Sequence, residues 1–179
     1  MTVHLARHGQ TAYNAEGRFQ GHLPVPLDDT GRAQARELAE AVAAVEVRTL
    51  VCSPLARARE TAEIVGARIG LVPEEDERFT ETDTGDWTDR SFAHIQAEDP
   101  EGFHRYEISD PAFRYPGGES FAEQSDRVQA GLRDLRARAG DLPALVVCHR
   151  GVIRLALAVA TGDHTAGGRD IGNATLVTV

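Results

Sequence analysis

The chain has 179 residues, 41% of them hydrophobic and 26% charged, with a net charge of −9 and two cysteines. That length fits one domain with its own core, and the negative charge argues against a nucleic-acid partner. No apolar run nears the roughly 20 residues that span a bilayer, no signal-peptide pattern opens the chain, and two cysteines are too few for a disulfide framework, so a cytoplasmic protein without membrane contact is expected.

The first element is the apolar run Val3-His4-Leu5-Ala6, which reads as a strand and stops at Arg7-His8-Gly9-Gln10-Thr11. A cation and an imidazole then stand at a strand's carboxyl end, where ligands bind in open α/β sheets. Gly9 lets the backbone turn close to whatever the imidazole touches. An imidazole beside a guanidinium suits a phosphoryl group, one attacking and the other holding the oxygens in a fork.

From Asn14 to Asp29 turn residues dominate (Gly17, Gly21, Pro24, Pro26), and a loop is expected. After Thr30, Ala35, Leu38, Ala39 and Val42 recur at helical spacing. Thr49–Cys52 reads as a short buried strand, and Ser53-Pro54 as a helix start with Ser as N-cap. Ala58, Ala62, Val65 and Ile69 form that helix's apolar stripe, with Arg57 in its first turn near the positive pole. Leu71–Pro73 is predicted as another short strand.

Residues 76–118 look irregular and hold Phe79, Trp87, Phe92, Phe103, Tyr106, Phe113 and Tyr115, while residues 74–110 hold thirteen Asp or Glu against three Arg. This composition predicts a lid insertion over a pocket; the competing expectation is that the rings give the insertion a small core of its own. The chain has no lysine. An anionic ligand must therefore be drawn by a local arginine cluster.

Ser120 and Glu123 form a capping box, and Val128, Leu132 and Leu135 mark one face of the helix behind it. Leu145–Cys148 is the clearest buried strand, followed by His149-Arg150-Gly151, a helix over Val152–Ala160 that ends at Gly162, and a last strand in Thr175–Val179. Cys52 and Cys148 end apolar runs and read as buried packing residues. The alternation predicts a single α/β domain over 1–179, a three-layer sandwich with helices on both faces of a mixed, mainly parallel sheet. In such a sheet Arg7, His8, Arg57 and His149 converge on one crevice beside two helix N-termini, an anion site.

The chain resembles the histidine phosphatase superfamily, the phosphoglycerate-mutase-like enzymes. Arg7-His8-Gly9-Gln10-Thr11 with Asn14 is similar to its opening motif, and Gln20-Gly21, Pro26-Leu27, Gly31 and Gln34 continue the match. Ser53-Pro54-Leu55-Ala56-Arg57-Ala58-Arg59-Glu60-Thr61-Ala62, Glu81 before Gly85 and Trp87, Pro116-Gly117-Gly118-Glu119-Ser120, and His149-Arg150-Gly151-Val152-Ile153-Arg154 follow in family order.

The resemblance implies that His8 is the nucleophile that becomes a phosphohistidine. It assigns Arg7, Asn14, Arg57 and a protonated His149 to the phosphoryl oxygens, and Glu81 to proton donation and then acceptance, with Asp83 as the next choice for the acid. Gln20, Gly21, Arg150 and Gly151 join the substrate-binding set. No metal-ligand spacing appears, and neither metal nor cofactor is expected.

Two positions depart from the family. Arg150 replaces the Gly often found after the second His; its side chain is expected to face solvent, the alternative being a second anionic group on the substrate. Asp89 replaces the Gly that usually follows the Trp motif. Arg18 reaches either the pocket mouth or the surface, and His4, His22, His94, His104 and His164 lack motif support. The expected activity is hydrolysis of a small phosphomonoester, with phosphoglycerate mutase or a non-catalytic phosphate-binding module as alternatives; oligomeric state is not legible.

Overall fold

The computed structural model describes residues 2–140, 142–163 and 171–179. Strand β1 (Val3–Arg7) leads through α1 (Ala12–Glu16) into α2 (Asp29–Ala43); β2 (Thr49–Cys52) leads into α3 (Ala56–Ile69) and the two-residue strand β3 (Glu74–Glu75). Two 3-10 turns, Glu77–Phe79 and Gly85–Trp87, precede α4 (Phe92–Glu98) and α5 (Pro100–Glu107). The order closes with α6 (Phe121–Ala139), β4 (Ala144–Cys148), α7 (Arg150–Thr161) and β5 (Leu176–Thr178).

The strands form one sheet in the order β3-β2-β4-β1-β5, parallel throughout except for β5, which runs antiparallel on β1. Successive strand side chains point to opposite faces, and here both faces are covered. Val3, Leu5, Val51, Val146 and Cys148 pack under α6 and α7 through Val128, Leu132, Val152 and Ile153. Ala6, Leu50, Cys52, Leu145 and Val147 pack under α2 and α3 through Leu38, Val42, Ala58 and Val65. This is the expected α/β architecture, with its two cysteines buried and free. Among the described residues, no helix is long and apolar enough to cross a membrane.

Register brings the chemistry together. Arg7 lies opposite Cys148, and Cys52 opposite Val147. The ladder continues one residue past each strand, with His8 N–H donating to Cys148 O and Ser53 N–H to Val147 O, both at 3.0 Å. His8, Ser53 and His149 thus emerge side by side at the carboxyl end of the three central strands.

Four local expectations change. The stretch expected as a loop from Asn14 begins inside α1, whose Thr11 cap accepts from Asn14 N–H. Helix α3 starts at Ala56, with Leu55 and not Ser53 at the cap position; the Ser53 hydroxyl is turned toward His149 instead. The short strand comes at Glu74–Glu75, after Leu71–Pro73. Residues 76–118 are not irregular: Ser91 caps α4, and Asp99 caps α5 with Pro100 in its first turn. Most of their rings do pack together, Trp87, Phe103, Phe113 and Tyr115 joining Phe19 and Phe121 in a third cluster. Phe79 instead packs in the main core beneath α6.

Candidate active site

His8 is 2% exposed, and its Nδ1 lies 2.7 Å from the carbonyl oxygen of Gly9. A carbonyl only accepts, so Nδ1 carries the proton and Nε2 keeps its lone pair. Burial, with Arg57 and Arg7 beside it, holds the imidazole well below its ordinary range and so neutral. The backbone carbonyl of His8 accepts from Ala174 N–H and from Asn173 Nδ2, which fixes the ring's base from the β5 side.

The cations around it are tied by backbone. Arg57, 1% exposed, donates to Leu23 O at 3.1 Å and to Gly21 O at 2.9 Å, and its Nε has no partner. Burial pulls its guanidinium down to about 10, against a raising influence from Glu81. Gly21 has φ +47°, and a Cβ there would meet Thr84 Oγ1 at 2.6 Å, so glycine is what lets this carbonyl reach Arg57. Arg7 donates to Ile171 O at 2.6 Å.

Asn14 accepts at Oδ1 from Thr11 N–H, Thr11 Oγ1 and Asn173 Nδ2, each at 3.1 Å. Thr11 N–H and Asn173 Nδ2 suffice to fix that oxygen, and the Thr11 hydroxyl shares its one proton between it and Gln20, so the Asn14 amide N–H groups are left for a ligand. Gln20 accepts from Thr11 Oγ1 at 2.9 Å. Arg7, His8, Asn14, Gln20, Gly21 and Arg57 all line one pocket.

His149 sits behind this group. Its ring is fully buried 5.2 Å from that of His8, with Nε2 at 2.8 Å from Ser53 Oγ and Nδ1 unpartnered. It is not among the residues lining the pocket. Burial, Arg57 and His8 hold it well below its ordinary value. These surroundings favour the neutral ring, whereas a role at the phosphoryl oxygens calls for the protonated one.

Glu81 lines the same pocket. Its Oε1 accepts from Thr82 N–H at 2.9 Å and from Gln124 Nε2 at 3.3 Å, and its Oε2 accepts from Gly151 N–H at 3.3 Å. A Cβ on Gly151 would lie 2.4 Å from Oε1. Gly151 thus serves this carboxylate directly, besides lining the pocket. Arg127 holds the segment beneath, donating to the carbonyls of Arg78, Thr80 and Glu81 while its fork engages Glu119. Asp83 points elsewhere, accepting from Gly85 N–H at 3.0 Å, and does not line the pocket.

The cavity has a volume of about 260 Å³, with Phe19, Phe92, Tyr106, Tyr115 and Phe121 among its walls. Arg18 reaches its mouth while paired with Asp89 and Glu16 and stacked on Tyr13. Asp89 has φ +66°, the left-handed region that favours glycine, and Tyr13 Oη donates to its carboxylate at 2.6 Å. Arg150 lines the pocket instead of pointing away. It is the first residue of α7, and helix side chains tilt toward the N-terminus, which here opens into the cavity.

Sequence reasoning missed Ser53, Arg127, Asn173 and, above all, Arg154, which is 4% exposed and lines the same pocket. Arg154 offered two signals, a charge inside the apolar run of α7 and its place at the end of the His149–Arg154 block that resembles the family. Among the described residues, no three His, Cys, Asp or Glu gather as metal ligands.

A profile of the histidine phosphatase superfamily (branch 1) matches residues 3–179. Over 148 residues, 82% of this chain and 68% of the relative, the sequence is 36% identical to the probable phosphoglycerate mutase GpmB of Salmonella choleraesuis strain SC-B67. A solved mycobacterial glucosyl-3-phosphoglycerate phosphatase, complexed with VO3, is similar with TM-score 0.91 and 33% identity, covering 99% of this chain and 91% of that one. A putative alpha-ribazole-5'-P phosphatase from Escherichia coli K-12 is similar with TM-score 0.77 and 31% identity, covering 89% and 78%.

Proposed function

Since the chain belongs to branch 1 of the histidine phosphatase superfamily, we propose that it is a phosphatase that hydrolyses a small phosphomonoester through a phosphohistidine on His8. The observation that carries this reading is the bond from His8 Nδ1–H to Gly9 O at 2.7 Å, beside the buried Arg57. It leaves Nε2 basic and unprotonated, the state an attacking imidazole needs.

In the first step Nε2 of His8 attacks phosphorus while the bond to the ester oxygen breaks. Glu81, in its acid form, gives its proton to that oxygen. The guanidiniums of Arg7 and Arg57 and the amide of Asn14 take the negative charge spread over the equatorial oxygens. A bound dianion also reverses the electrostatics at His149, favouring its protonated form beside the phosphoryl group. In the second step the Glu81 carboxylate takes a proton from water, whose oxygen attacks phosphorus as the P–N bond breaks. Free phosphate leaves and His8 is restored. Gln20 and Gly21 serve by holding Thr11 and Arg57. The arginines supply the positive charge that a metal ion supplies in other phosphatases.

The alternative is a phosphoglycerate mutase, the activity carried in the name of the curated relative. An acidic stretch over residues 74–110 and the absence of lysine favour hydrolysis over return of the phosphoryl group to an acidic sugar. The test is a hydrolysis screen over a panel of phosphomonoesters, with and without chelator, that includes 3-phosphoglycerate with a bisphosphate primer. Free phosphate should appear faster than the isomer and at a rate the chelator does not change. Isomer in excess of phosphate would support the mutase; no product at all would support a binding module.

A further inference from the structure

Between α1 and α2, residues 20–23 form a tight turn, closed by Leu23 N–H donating to Gln20 O at 3.0 Å and permitted by the positive φ of Gly21. This turn meets both halves of the site. Its carbonyls at Gly21 and Leu23 accept from Arg57. His22 reaches the other way, with Nε2 2.7 Å from the backbone oxygen of Glu81. A carbonyl only accepts, so Nε2 carries the proton and donates. No motif in the sequence accounts for His22, and the two chemical steps leave it unused.

Glu81 has to hold its carboxyl group where it can protonate a departing oxygen and then take a proton from water. Thr82 N–H, Gln124 Nε2 and Gly151 N–H orient the carboxylate, but only a fixed main chain gives that orientation a base. Residues 80–84 lie outside regular structure, between the 3-10 turns Glu77–Phe79 and Gly85–Trp87. Such a segment has no ladder of its own, so its carbonyls must find partners elsewhere. The Glu81 carbonyl takes two side chains, His22 and, at 3.2 Å, Arg127 Nη2. Arg127 divides its fork among three carbonyls and the carboxylate of Glu119. The His22 bond is the shorter, and it joins the acid to the turn that holds Arg57.

We propose that His22 is a positioning residue for the general acid. It fastens the main chain at Glu81 to the turn whose carbonyls seat Arg57, so that the acid and a phosphoryl-binding cation keep a constant separation. The proposal rests on the phosphatase reading, in which Glu81 is the acid.

The test compares His22→Phe, which keeps a ring without the donor, with His22→Gln, whose amide offers a donor at about the reach of Nε2. In His22→Phe, kcat for alcohol esters should fall about ten- to a hundredfold, with little change in KM or Tm. His22→Gln should recover most of that loss. Added to Glu81→Gln, His22→Phe should cost nothing further, because its effect passes through the carboxyl group. A reading free of turnover is carboxyl ¹³C NMR of the glutamate-labelled chain, where Glu81 is the signal missing from Glu81→Gln. That signal should move in His22→Phe and return in His22→Gln. Wild-type kcat in His22→Phe with an unmoved Glu81 signal overturns the proposal, as does an undiminished loss in the Glu81→Gln background. If the wild type hydrolyses no ester, the phosphatase reading falls and the NMR signal decides: movement restored by Gln upholds the placement of Glu81 by His22, and an unmoved signal rejects it.

Discussion

The backbone N–H of Gly151 donates to Oε2 of Glu81 at 3.3 Å, and a Cβ at that position would lie 2.4 Å from Oε1 of the same carboxylate. The obstruction is the end of a flexible side chain, so Gly151→Ala should move the acid and not the fold. Alanine is also the better helix former by about 1 kcal/mol. Tm should stay level or rise, while kcat for alcohol esters falls by a large part of the roughly 10²–10⁴-fold that a general acid contributes. Unchanged kcat would separate Gly151 from the acid's placement.

Glu81→Gln separates the two proton transfers. Ordinary alkoxides need the acid to leave, whereas nitrophenolate hardly does. The variant should phosphorylate slowly with alcohol esters, by about 10²–10⁴-fold, and quickly with a nitrophenyl ester. Its second step then stalls, so stopped-flow absorbance should show a burst of nitrophenolate near one equivalent followed by a slow phase. Equal losses on both esters without a burst would take Glu81 out of both steps.

The two buried imidazoles set a pH dependence of stability. His8 and His149 are held well below 6.5 in the folded chain, first by burial and then by Arg57, and titrate near 6.5 when unfolded. Below that value the unfolded state binds more protons than the native one. Stability is therefore full above about pH 6.5 and is lost as pH falls below it, by up to about 1.4 kcal/mol per pH unit for each imidazole. Thermal melts from about pH 8 to about pH 5 should show this slope, and His8→Asn should lessen it. A slope unaffected by that variant would assign the effect to other groups.

Ser53→Ala removes the hydroxyl 2.8 Å from His149 Nε2 and leaves a ring with no other partner for either nitrogen. The expected cost is about 1–3 kcal/mol of stability, read by denaturant unfolding, with a lower kcat. A variant as stable and as active as the wild type would make that contact incidental.

The sheet and the residues at its carboxyl end were legible because two-sided burial leaves apolar runs that end abruptly in charge, as at Val3–Ala6 before Arg7 and Leu145–Cys148 before His149. The helices of residues 92–107 were less so, since two short amphipathic elements broken at Pro100 average to no period; their caps, Ser91 and Asp99 before Pro100, were the usable signal. Ser53 misled because a hydroxyl before proline suits a cap, while an imidazole from a strand far along the chain claims it. Arg154 and Arg150 depend on where α5 and the aromatic cluster settle over α7, a long-range fact that spacing along the chain does not encode.

The account turns on a covalent bond at His8. Rapid acid-free quench of the enzyme with a labelled phosphomonoester should trap a phosphoenzyme that survives base and is lost in mild acid. Peptide mapping should place the label on His8, and His8→Ala should show neither label nor turnover above several powers of ten below wild type. A label elsewhere, or near-normal turnover in His8→Ala, would contradict it.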